Sequence, residues 1–112
     1  MDLYNELQDK IEQLNKSIEE AKTLGIAYNN FEYKYKIKLR IEALKLKNNQ
    51  QMPVTLINQI IYGVPDVAEL RLARDKAETL YNSAKDKTNV LKLQVRVLDA
   101  QLQREYNNKY GV

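Results

Sequence analysis

Apolar residues recur along the first quarter of the chain at Tyr4, Leu7, Ile11, Leu14, Ile18, Ala21, Gly25 and Tyr28, in steps of three and four. That spacing keeps one seam of a helix turned toward a partner helix. The seam drifts after Tyr28 through Phe31, Tyr35, Leu39 and Leu46, until Asn48, Asn49, Gln50 and Gln51 end the pattern and Pro53 enforces a break. One long helix over about residues 2–49 is expected. Pro53 to Gly63 predicts a short amphipathic helix over about 53–62, with Leu56, Ile57, Ile60 and Ile61 apolar and Gly63 at its stop. Pro65 and Asp66 restart the chain, and Asp66 with Glu69 three residues later has the form of a capping box. A second long helix follows over about 65–108, its seam Ala77, Tyr81, Ala84, Thr88, Leu91, Val95, Leu98 and Leu102. At ~1.5 Å per residue each long helix would span on the order of 65 Å. A reversal between them predicts an all-α fold in one domain over 1–112, an antiparallel hairpin of two coiled-coil helices with a short helix in the connection.

A second pattern competes. Phe31, Tyr33, Tyr35, Ile37, Leu39 and Ile41 alternate with Glu32, Lys34, Lys36, Lys38, Arg40 and Glu42, a period of two that suits a strand, and Leu91, Leu93, Val95 and Val97 echo it. Helix is preferred because the heptads enter both segments with no turn residue, and a two-stranded ribbon by itself is marginal. On a helix at about 100° per residue, Tyr28, Phe31, Tyr35, Leu39 and Leu46 form one stripe, and Tyr33, Ile37, Ile41 and Leu44 a second on the opposite side. Val90, Leu93 and Val97 likewise oppose the main seam of the second long helix. In hairpin register they lie near the acidic end of the first helix, far from Ile37, so one short helix cannot cover both extra faces. A homo-oligomer with Tyr33, Ile37, Ile41, Leu44, Val90, Leu93 and Val97 in its interface is the expectation.

Composition narrows the chemistry. A chain of 112 residues buries a modest share of its surface alone, which also favours association. With no Cys and no His, disulfides, thiolate nucleophiles and the commonest general base and metal ligand are excluded. Three glycines make no phosphate loop, and the acids show neither metal-ligand clustering nor a paired acid and base. The expectation is a protein that is not an enzyme, with no cofactor and no metal. The first residues lack the basic start and apolar run of a signal peptide, and no stretch is apolar enough to cross a bilayer, so a cytoplasmic protein without membrane partners is expected.

The net charge of +3 hides a division: residues 1–32 hold seven acids against three bases, and the remainder fifteen bases against eight acids. Such asymmetry marks either a nucleic-acid surface or helices that attract each other. From Tyr33 to Lys47 stand six bases, Lys34, Lys36, Lys38, Arg40, Lys45 and Lys47, against the single acid Glu42. Lys34, Lys38 and Lys45 line one flank of the second stripe, and Lys36, Arg40 and Lys47 the other. Bases that neutralise phosphates, interleaved with aromatic rings that stack on unpaired bases, suit single-stranded nucleic acid. The competing explanation is a solvated charged flank beside core aromatics. Arg71, Arg74 and Arg96 have acids three or four residues away in Asp75, Glu78 and Asp99, and local ion pairing accounts for them.

The order of a basic helix from Tyr35, the turn Met52–Thr55, then Gly63–Tyr81 (GVPDVAELRLARDKAETLY) and Leu91–Tyr106 (LKLQVRVLDAQLQREY) resembles a family of short uncharacterised proteins from the early regions of tailed phages, encoded near single-strand binding and recombination genes. Leu39–Lys45 (LRIEALK) within a basic helical hairpin is distantly similar to recombination mediators of the UvsY type. That resemblance implies an oligomer that binds single-stranded DNA through basic helical residues, here Arg40 and Lys45, and helps load a recombinase inside a bacterial host cell. Two functions are expected from it and from the basic segment: an accessory of DNA recombination or replication whose partners are itself, single-stranded DNA and a recombination protein, or an interaction module that inhibits or sequesters a host defence factor. A purely structural coiled coil is a third.

Overall fold

A computed structural model describes residues 2–111. Helix α1 runs Leu3–Asn49, α2 runs Val54–Ile60 and passes into a 3-10 turn at Ile61–Gly63, and α3 runs Pro65–Tyr110. Among the described residues there is no strand, so the alternation at 31–42 is carried by helix. The chain divides into two compact units, a terminal unit made by the chain up to Thr23 with the chain from Asn82, and a central unit, Leu24–Tyr81.

In the terminal unit α1 and α3 run antiparallel, with Ser17 against Thr88 and Glu20 against Lys87. Leu7, Ala84 and Leu91 are buried between them. The buried residue at this level of α1 is Ser17, 2 % exposed, and not its neighbour Ile18, at 42 %; Tyr4, also expected in the seam, is 55 % exposed. The reason is polar. Thr88 Oγ1 donates to the Ala84 carbonyl at 2.9 Å, which uses its one proton, so the 2.7 Å contact with Ser17 is a bond that Ser17 Oγ donates. Both hydroxyls are thereby satisfied out of water. At the start of α1 the Asp2 carboxylate accepts a bond from the Tyr4 N–H at 2.7 Å, in the manner of an N-cap.

In the central unit a third element joins. Ile57 and Ile61, one turn apart, are buried together with Tyr35, Ala77 and Val67, which has no exposed surface. Tyr81 packs over Gly25, where an added Cβ would stand 2.9 Å from the ring, and stacks beside Tyr28 with centroids 6.2 Å apart. Gly25 is therefore the small residue that lets an aromatic ring approach the helix backbone. Burial first, then the Glu78 and Glu32 carboxylates, raise the Tyr28 phenol above its ordinary value. Past α1, Gln51 adopts a left-handed backbone (φ +51°), and the Met52 N–H returns to the Leu46 carbonyl at 3.2 Å, satisfying one acceptor at the helix end. The capping box is not formed as expected: α3 already begins at Pro65, the position where a missing N–H costs nothing, and the Asp66 carboxylate turns to Lys38.

Candidate nucleic-acid interface

The Tyr33–Lys47 segment lies wholly in α1 of the central unit. Tyr35 is buried and Phe31, Leu39 and Leu46 are half-buried, so this stripe belongs to the core. The opposite stripe faces water: Tyr33 is 67 % exposed, and Ile37, Ile41 and Leu44 are exposed with it. The short helix does not cover them. It adds exposed apolar residues of its own in Val54, Leu56 and Ile60.

The two basic flanks differ. On one, Lys38 is half-buried and held by Glu42 at 3.1 Å and Asp66 at 3.4 Å, and Lys45 pairs with the same Glu42 at 3.3 Å. The hydrogen bond to Glu42 holds the Lys38 ammonium above its ordinary pKa, and that from Lys38 holds the Glu42 carboxyl below its own. Lys34 stands 5.8 Å from the centroid of the Phe31 ring. On the other flank, Lys36 pairs with Glu32 at 3.3 Å across one helical turn while most of its side chain stays in water. Arg40 and Lys47 are exposed and in no ion pair among the described residues. An exposed lysine pair of this kind contributes about 0.3–0.5 kcal/mol and leaves the cation available to a phosphate. Lys36, Arg40 and Lys47 on this flank, with Lys34 on the other, are thus the accessible cations beside the exposed stripe, and Tyr33 stands at its head.

Arginines on α3 behave otherwise than local pairing predicts. Arg74 bonds Asp75 at 2.8 Å and Glu32 of α1 at 3.4 Å, and its guanidinium lies 4.5 Å from the Tyr35 ring centroid. The Asp75 bond is the main cause of its raised pKa. Arg71 stacks on Tyr62 at 5.1 Å. Both serve to fasten the central unit, a use that spacing along one helix does not reveal.

Val90, Leu93 and Val97 are exposed in the terminal unit. Leu93 and Val97, with Leu98 and Gln94, line one side of a groove of about 520 Å³ whose other side is Glu6, Asp9, Lys10 and Gln13 of α1. Periodicity could not show this groove, because its two walls are 80 or more residues apart in sequence. No group of three or more acids stands close enough among the described residues to hold a metal ion, and no described helix is long and apolar enough to cross a membrane. Comparison with protein-family models, curated sequences and solved structures gives no match to this chain.

Proposed function

We propose that the protein is an accessory of DNA recombination or replication, of the phage type that its sequence resembles, which binds single-stranded DNA without sequence preference as a homo-oligomer in the cytoplasm of a bacterial host. The observation that carries this is the outward face of α1, where Tyr33 stands exposed beside Lys36, Arg40 and Lys47. Cations one and two turns apart track a phosphate backbone, and an exposed ring at the end of the row offers a base its face. The geometry moves emphasis from Lys38 and Lys45, which are engaged by carboxylates, to the other flank.

Anisotropy of a labelled thymidine oligonucleotide at two salt concentrations tests the proposal. Three phosphates neutralised per subunit give a slope of log affinity against log salt of about −2. Lys36→Gln, Arg40→Gln and Lys47→Gln together should flatten that slope, and Tyr33→Ala should weaken binding roughly tenfold at every salt concentration. Absence of salt-dependent binding at low salt would refute the DNA role. The alternative, a module that captures a host protein, is favoured by one feature: Ile37, Ile41 and Leu44 are more apolar than a nucleic-acid strand requires. An apolar row with a basic edge fits an acidic amphipathic protein surface.

A further inference from the structure

The groove of the terminal unit has a largely apolar side on α3 and a polar side on α1, where Glu6 and Asp9 against the single Lys10 leave a net negative charge. Leu93, Val97 and Leu98 come from α3, and Glu6 and Asp9 stand on α1 one turn apart. Neither carboxylate is in an ion pair among the described residues. A channel between two helices, apolar below and negative along one rim, accepts the face of a third helix with an apolar row and a positive edge. The outward face of the central unit has that character. Tyr33, Ile37, Ile41 and Leu44 recur at helical spacing, and Lys36 and Arg40, one turn apart, form its accessible positive edge. On the other edge Glu42 already holds Lys38 and Lys45, which leaves Lys34 as its one cation outside an ion pair among the described residues.

We infer that the acidic groove of the terminal unit receives the Tyr33–Leu44 face of a second copy of this chain, with Lys36 and Arg40 of that copy set against Glu6 and Asp9. The inference rests on the homo-oligomer in the proposed function and specifies its contact: the two surfaces that meet are different, so association is heterologous and not stripe against like stripe. One kind of contact then covers the Tyr33–Leu44 face and, in the terminal unit, Leu93 and Val97. The same cations then meet either a second copy or a nucleic-acid strand, so in a heterologous assembly the strand is held by the outward face left free at its end.

Charge exchange in the full chain provides the test. Wild-type protein should sediment at twice 13.1 kDa or more at micromolar concentration. Glu6→Lys/Asp9→Lys in one preparation and Lys36→Glu/Arg40→Glu in another should each weaken association by roughly 30-fold or more, because each reversal sets like charges face to face across the contact. All four positions lie on or beside water-facing surface, and circular dichroism should show unchanged helix content. Mixed in equal amounts, the two variants should associate again, because the reversed wall of one meets the reversed edge of the other. A mixture that stays monomeric, or a Glu6→Lys/Asp9→Lys variant that keeps wild-type mass, overturns the heterologous contact. A monomeric wild type overturns it together with the oligomer and leaves strand binding to its own assay. Failure of the oligonucleotide to bind, with charge exchange succeeding, would remove the DNA role and leave this contact standing.

Discussion

In the terminal unit the most deeply buried side chain is Ser17, bonded to Thr88, whereas in the central unit it is Val67, packed in the same unit as the buried Ile57 and Ile61. Two helices in contact share one narrow seam, and residues beside it stay half in water. A third helix laid across such a seam makes a dry centre, as α2 does with its buried Ile57. The central unit is further fastened by carboxylates that reach between helices, Glu32 to Arg74 and Asp66 to Lys38, while the terminal unit has the long Glu20–Lys87 contact at 3.5 Å. Apolar packing therefore holds the one unit, and in the other a pair of hydroxyls decides how the helices meet.

The largest effect should follow from cutting into the dry centre. Val67→Ala removes two methyl groups from a site with no solvent exposure and should cost about 2–3 kcal/mol in denaturant melts, counting transfer and cavity together. Hydrogen exchange should show the loss in α2 first. A cost below about 0.5 kcal/mol would mean that the centre collapses freely and that α2 does not close it.

A smaller and more diagnostic effect belongs to the hydroxyls. Thr88→Val leaves the Ser17 donor without the acceptor it uses and should cost about 1–3 kcal/mol, whereas Ser17→Ala leaves Thr88 bonded to Ala84 and should cost less. The double variant should be more stable than Thr88→Val alone, because no orphan donor remains. Additive costs in that cycle would break the contrast between the units.

The smallest effect is a pH dependence confined to the central unit. The Lys38 bond depresses the Glu42 carboxyl below its unfolded value, so its contribution is complete above that value and is lost as pH falls through the lower, folded one. The thermal midpoint should fall across that acid window. Glu42→Gln should flatten the acid limb and leave the neutral region nearly unchanged; an equally steep limb in the variant would assign the acid loss to other carboxylates.

Much of this architecture was legible in the sequence, because heptad steps survive every local ambiguity: the order of long, short and long helix follows from them, and so does the seam of α3 from Ala77 to Leu102. Ile18 misled because hydropathy ranks it above Ser17, although Leu14, Ser17 and Ala21 keep the same three-and-four step. Thr88, already in the opposing seam, was the available sign that a polar partner was needed. The exposed stripe Tyr33, Ile37, Ile41 and Leu44 could be placed by angle alone. Which of its flanking cations are engaged could not, since the Lys38–Asp66 pair depends on chain reversal and not on spacing within α1. The acidic groove was hidden for the same reason.

The Ser17–Thr88 bond also bears on sliding. Apolar seams repeat every seven residues, so a shift of one heptad between antiparallel helices exchanges one apolar neighbour for another at little cost. Seven residues from Thr88 the seam holds Tyr81 on one side and Val95 on the other. A seven-residue shift of α3 in one direction would set Ser17 against Val95 and strand its proton in an apolar layer. The bond acts as a detent against that slide: it favours one alignment of the terminal helices and makes that neighbouring alignment a strained intermediate, through which shear in that direction would have to pass.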